Sequence, residues 1–477
     1  MYRTGYGVRV DSHLTILLPD FMTNPTSLVN EPTQRLTAFS AIAIIVGIVI
    51  GAGIFKTPSM VAGVTGDAGW LLVAWLLGGL ISLAGALCYA ELATTYPHAG
   101  GDYHFLARAF GRDISFLYAW AKATVINTGS IALLAFVFGD YMTKAINLGP
   151  YSSAIWAIGV VVVLTLINLI GISASSWVQT LLTLIEVVGL IMVAIAGFYI
   201  SSDAPASPPL FSSTPSLGMF GLAMVFVLLT YGGWNEAAYI SAEVRGGRRA
   251  IVPVILFSIL ILTLIYLLVN IALLAGLGLE GLSKSSAVAA DLMGKAFGPW
   301  GERTLGIFVA VAALTSINAT MIVGARTNYA LGRDWPALRF MGHWEGGRGS
   351  PIRGYMVQSV ISLALVIFGI WQTDGFGVMV EFTAPVFWFF LFMVGLSVFV
   401  MRVRDPKADR PFKVPLYPLT PILFTLTCAY LTYSSVTYAV SKDAVHISLI
   451  VMAIGVVALL LTRKIKGPAR DPLARTR

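Results

Sequence analysis

Runs of about 20 apolar residues, separated by short polar connectors, recur from residue 39 almost to the end of the chain, and nothing else in the sequence restricts its fold as much. An α-helix of about that length crosses the hydrocarbon core of a bilayer, and about twelve such runs can be marked. They lie at approximately 39–58, 70–92, 114–138, 154–172, 177–200, 219–242, 251–277, 305–331, 355–370, 378–401, 419–440 and 445–462. In lipid every backbone polar group must be bonded internally, so segments of this kind fold as helices. The expected class is therefore an all-α integral membrane protein with about 12 transmembrane helices. Composition agrees: of 477 residues, 57% are hydrophobic and 11% charged, far from soluble usage.

A net charge of +8 raises the question of an acidic partner. Placement answers it. Basic clusters fall at Arg245/Arg248/Arg249, Arg326 to Arg353, Arg402 to Lys413 and Arg463 to Arg477, all in connectors of one side. The other side holds Lys144, Lys284, Lys295, Arg303 and Lys442, with Lys56 and Lys122 inside spans. The positive-inside rule then puts both termini in the cytoplasm of a multi-pass cell-membrane protein, the inner membrane in a bacterium. The positive charge is topology facing anionic lipid headgroups, with no nucleic acid partner.

Residues 1–38 are a polar cytoplasmic tail whose longest apolar stretch, around Leu14 to Leu18, is too short for a signal-peptide core. Residues 39–462 form one transmembrane domain and 463–477 a second cytoplasmic tail. Cys88 and Cys428 sit within spans 2 and 11, where no partner-linking disulfide would form. His13, His98, His104, His343 and His446 lack metal-ligand spacing, so no metal is expected. No P-loop and no Ser/His/Asp or paired-carboxylate constellation is present; the chain reads as no enzyme and needs no cofactor.

Glycines interrupt two spans. Gly47, Gly51 and Gly53 break span 1, and Gly232 and Gly233 break span 6, which runs the opposite way. Paired breaks in opposite orientations point to an inverted repeat with its substrate site near the midplane. Unwinding at Gly51-Ala52-Gly53 would aim the N–H groups of a half-helix at the cavity, which suits a carboxylate. Gly47-x-x-x-Gly51 is equally a helix-packing motif. The run Thr230-Tyr231-Gly232-Gly233-Trp234-Asn235 shifts the balance towards a site. Carbonyls freed near Leu229, Thr230 and Gly232 would accept from an ammonium, while Tyr231 and Trp234 wall the side-chain pocket. A packing kink remains the alternative. Donors on one side and acceptors on the other describe a zwitterion.

Glu186 in span 5 and Lys122 in span 3 lie ~14 Å and ~12 Å from the inner ends of their spans at ~1.5 Å per residue. An isolated charge at that depth is costly, so either the two pair or Glu186 is protonated. Such a pair serves coupling or merely fixes helix packing. Glu91, Glu236 and Glu243 are expected near inner span ends and Glu381 near an outer one, within reach of water.

Four stretches together resemble one family. They are Ile50-Gly51-Ala52-Gly53-Ile54-Phe55; Ala86-Leu87-Cys88-Tyr89-Ala90-Glu91-Leu92 continuing to Tyr96-Pro97-His98-Ala99-Gly100-Gly101-Asp102-Tyr103; Tyr231-Gly232-Gly233-Trp234-Asn235 before Ala242-Glu243-Val244; and Arg410-Pro411-Phe412-Lys413-Val414-Pro415. Over approximately 36–465 the chain is similar to the amino acid, polyamine and organocation transporter superfamily, and within it to the L-type amino acid transporters and their bacterial relatives. The resemblance implies two inverted five-helix repeats, about 39–200 and 219–401, with two extra helices over about 419–462, working by alternating access. It implies that Gly51, Ala52 and Gly53 bind the substrate carboxylate, that carbonyls of Val49, Leu229, Thr230 and Gly232 bind the amine, and that Trp234 and Asn235 line the pocket. Ala52 replaces a frequent Ser or Thr, Leu229 a frequent Phe, and Glu186 the Lys of many bacterial members. The loop 139–153 lacks the cysteine that joins animal members to a heavy chain.

The expected function is secondary transport of neutral L-amino acids, by exchange or proton coupling. A cationic amino acid or polyamine carrier is the alternative, since Glu186 or Glu236 would attract a second positive charge. A channel would need a polar stripe along several spans, and a membrane enzyme clustered catalytic groups.

Overall fold

The computed structural model describes residues 37–96, 101–170, 176–200, 209–236, 250–343, 351–370, 375–442 and 445–464. Residues 1–36 and 465–477 of the two tails, together with Glu243 and Arg245 to Arg249, lie outside the described residues. Among those described, all regular structure is helical, and nine helices are long and apolar enough to cross a membrane.

The helices are α1 (Ala38–Val49), α2 (Thr57–Thr65), α3 (Ala68–Thr95), α4 (Asp102–Phe110), α5 (Arg112–Ala121), α6 (Asn127–Ala145), α7 (Ser152–Ile170) and α8 (Ser176–Tyr199). There follow α9 (Leu217–Thr230), α10 (Ile251–Lys284), α11 (Val288–Asp334), α12 (Ile352–Ile370), α13 (Gly375–Arg404), α14 (Leu419–Ser441) and α15 (Val445–Lys464). The first span is two short helices, α1 and α2, neither long enough to cross alone. A π-helical turn, Lys122–Ile126, joins α5 to α6 within one span. Within α11, Gly298 adopts φ of 70° just before Pro299, which separates a short leading helix from the span that follows.

The broken span lies inside the bundle. Helix α1 packs on α8 and α10, and the turn after it packs on α6 and α11; α6 also meets α7 and α13. At the end where α2 leaves the break, buried Lys56 donates to Asp140 (3.0 Å) and to the carbonyl of Ser286 (3.0 Å), joining α2, α6 and the start of α11. Asp140 also accepts from the Ser153 hydroxyl at 2.7 Å. Nearby, Asp67 caps α3 through the Trp70 N–H and accepts the N–H groups of Phe211, Ser212 and Ser213.

The opposite end is tied as firmly. Glu91, expected within reach of water, is 3% exposed. Its carboxylate takes a bidentate pair from Arg402 at 2.8 and 2.6 Å and the Val414 N–H at 2.7 Å, with Arg410 3.6 Å away. A carboxylate withdrawn from water needs this kind of partnership, which the sequence position of Glu91 near a span end does not disclose.

Candidate functional site

The two interruptions face each other. After Val49, Gly51 is extended (φ −83°, ψ 178°) and Ala52–Phe55 form one 3₁₀ turn whose N-terminus has no side-chain cap. On the other chain segment the Tyr231 N–H still reaches the Val227 carbonyl (2.9 Å) and the Gly232 N–H the Leu229 carbonyl (3.0 Å). Gly233 then turns the backbone with φ of 108°, a value that L side chains rarely adopt, and Trp234–Glu236 make a second 3₁₀ turn. A Cβ on Gly53 would lie 3.5 Å from the Thr230 side chain. The hydroxyl of Thr230 lies 2.7 Å from that of Thr57 and 3.0 Å from the Phe226 carbonyl, so Thr57 donates to Thr230 and Thr230 to Phe226.

Tyr266, fully buried on α10, fastens the breaks from behind. Its hydroxyl donates to the Val49 carbonyl at 2.9 Å and lies 3.3 Å from that of Thr230. Two of the carbonyls expected to meet an ammonium are thus oriented by one phenol, each keeping a second lone pair. Sequence reasoning missed Tyr266, and the available signal was weak: one phenol in a leucine- and isoleucine-rich span.

Between the breaks opens a cavity of about 290 Å³, close to the lower limit of ~300 Å³ typical of small-molecule sites. Val49, Gly51, Gly53, Leu229, Thr230, Gly232 and Asn235 line it, as expected from the sequence. Ala52 belongs to the 3₁₀ turn. Tyr231 and Trp234, expected to wall the pocket, do not line this cavity; Trp234 borders a small adjoining one that shares Gly232, Asn235 and Phe387 with it. The Tyr231 hydroxyl donates to the Trp75 carbonyl (3.1 Å), and its ring packs on Trp75 and Tyr266; Trp234 packs on Tyr89 and Phe424. Their place in the wall goes to Leu134, Ser316, Val380 and Phe387 from distant spans, and to Phe226 on α9.

Lys122 lines the cavity from the π-helical turn, its ammonium 6.0 Å from the centre of the Tyr118 ring. The Tyr118 hydroxyl donates to Asp102 (2.9 Å), which lines the cavity too. Glu186 is elsewhere: on α8, 2% exposed, with neither carboxyl oxygen hydrogen-bonded. Of the two alternatives, a Glu186–Lys122 ion pair or a protonated Glu186, the ion pair is not formed. Equal depth in the bundle does not place two side chains on facing sides of their helices. Among the described residues, no group of three or more His, Cys, Asp or Glu could hold a metal ion.

The sequence itself is similar to known amino acid transporters. The family model described as amino acid permease matches residues 36–459. The chain is 29% identical over 413 residues to the b(0,+)-type amino acid transporter 1 of Mus musculus, covering 85% of this chain and 84% of that protein. It is 28% identical over 400 residues to the serine/threonine exchanger SteT of Bacillus subtilis (strain 168), covering 83% and 89%. It is also 28% identical over 412 residues to the human (Homo sapiens) cystine/glutamate transporter, covering 83% and 79%.

Proposed function

Because the chain belongs to the amino acid permease family, we propose that the cavity between its two broken spans carries neutral L-amino acids across the membrane by exchange or proton-coupled alternating access. The observation that carries this reading is the meeting of Gly51–Gly53 with Thr230–Gly233 across one cavity, bridged by Tyr266. The uncapped 3₁₀ turn offers N–H groups to a carboxylate, and the carbonyls of Val49, Leu229, Thr230 and Gly232 offer acceptors to an ammonium. Asp102 and Lys122 both line the cavity, so their formal charges offset each other and favour a substrate without net charge. The basic connectors, by the positive-inside rule, support a cytoplasmic location for both termini.

Glu186 is our candidate for coupling, a buried carboxyl without a hydrogen-bond partner, on a helix that packs on α1, α10 and α11. Protein in liposomes loaded with an amino acid panel, assayed for trans-stimulated uptake with and without a proton gradient, tests the whole reading. Trans-stimulated uptake of neutral amino acids supports it. Uptake of a polyamine with none of the neutral amino acids overturns it. Loss of the proton-gradient effect in Glu186→Gln supports the coupling role, and survival of that effect removes it.

A further inference from the structure

The wall of the cavity holds two opposite charges side by side. Among the described residues that line it, Asp102 and Lys122 alone carry a formal charge, and both are buried. Tyr118 joins them: its hydroxyl donates to Asp102 at 2.9 Å, and the Lys122 ammonium lies 6.0 Å from the centre of its ring. Glu186 does not line the cavity. The rest of the wall is glycine backbone, hydroxyls, amides and apolar side chains. Away from bulk water a charge acts over several ångströms without contact, because little dielectric lies between it and its neighbours. Viewed from the substrate, the field of Asp102 is therefore offset by that of Lys122, and the reverse.

We propose that this mutual cancellation is the charge filter of the site: Lys122 masks Asp102 from cationic side chains, and Asp102 masks Lys122 from anionic ones. The inference rests on the neutral amino acid reading above and deepens it, by assigning the exclusion of each charged class to one residue. The two breaks meet the main-chain groups, which every amino acid presents alike, so they do not discriminate between side chains. That choice falls to the remaining wall. A charged side chain entering it leaves water behind, a cost offset only where an opposite charge stands uncompensated. With both residues in place there is none. With either one neutralised the other is exposed, and the class of substrate changes: Lys122→Met admits cationic amino acids, Asp102→Asn anionic ones. Asparagine at 102 keeps an oxygen that accepts from Tyr118, so the substitution removes the charge and preserves the bond.

The test is competition for trans-stimulated alanine uptake into liposomes, setting lysine against methionine and glutamate against glutamine. In the wild-type protein each charged amino acid should require a concentration about tenfold or more above that of its neutral counterpart. Lys122→Met should lower the lysine ratio by about fivefold or more without lowering the glutamate ratio, and Asp102→Asn should do the reverse. Lys122→Arg, which keeps the charge, should retain the wild-type pattern. Loss of packing or of fold would not produce so crossed a response. Wild-type protein that takes lysine or glutamate as readily as the neutral counterpart overturns the proposal. So does a folded Lys122→Met or Asp102→Asn, checked by thermal midpoint, in which both ratios stay unchanged or move together. If one of these two variants does not fold, the other decides together with the wild type. Absence of any alanine uptake is a separate failure, which takes the neutral amino acid reading and this proposal down together.

Discussion

The hydroxyl of Tyr266 lies 2.9 Å from the carbonyl oxygen of Val49 and 3.3 Å from that of Thr230, so a residue on a third span joins both interruptions. Tyr266→Phe keeps the ring against Trp75 and Tyr231 and deletes only that link. One lost hydrogen bond of ~1 kcal/mol should weaken half-saturation of trans-stimulated uptake by about fivefold while leaving the fold intact. Unchanged uptake at every concentration would reduce Tyr266 to a packing residue.

Lys56 and Asp140 form the second test. Their side chains are 9% and 24% exposed, so the pair is only partly screened by water. Removing one partner strands the other, a loss of ~1–3 kcal/mol after allowance for the exposure of Asp140. Lys56→Met and Asp140→Asn should each lower the thermal midpoint in detergent, and the double variant should lose less than the two single losses together. Strict additivity would show that the pair contributes nothing.

Glu91 predicts a larger effect. Its carboxylate is more deeply enclosed and holds Arg402 at two points together with the Val414 N–H. Glu91→Ala leaves the Arg402 guanidinium without its carboxylate, which costs about 3–5 kcal/mol in a buried setting. A thermal midpoint within a degree of wild type would show that the loop around Val414 is held by other contacts.

Asp67 gives a pH dependence. Burial pushes its carboxyl up, but the N–H groups of Trp70, Ser213 and Phe211 and the Ser212 hydroxyl favour the charged form and leave it lower than usual. A group lowered in the folded state stabilises above about pH 3.9, where the unfolded aspartate titrates, and that contribution fades as pH falls through the lower folded value. Asp67→Asn should therefore be less stable than wild type at neutral pH, with the gap closing on acidification below pH 4. A gap constant from pH 7 to pH 3 would mean that the hydrogen bonds do not depend on the charge.

What the sequence disclosed followed the chemistry of each signal. Glycine pairs in long apolar runs announced both interruptions, because unwinding there needs only local freedom. The direction of side chains beside them was not legible. Tyr231 and Trp234 adjoin the break, yet the positive φ of Gly233 and the aromatic packing on α3 send them away from the cavity. Lys122 and Glu186 matched in depth, which fixes height along a helix but not the side on which a residue faces. Tyr266 meets Val49 across 217 positions, a contact that only the folded bundle creates. The π-helical turn at Lys122–Ile126 left no mark in residue type, so neither it nor the place of Asn127 in the cavity wall was legible.

Cys88 and Cys428, the chain's only two cysteines, are each 1% exposed and unpaired. Thiol reagents in water therefore have little to attack on the native protein. One cysteine introduced at a cavity-lining position such as Ser316 would then be the sole reactive thiol, and its labelling rate with and without substrate would report when the cavity is open to water. The native sequence is in effect already a clean background for watching the access pathway switch sides.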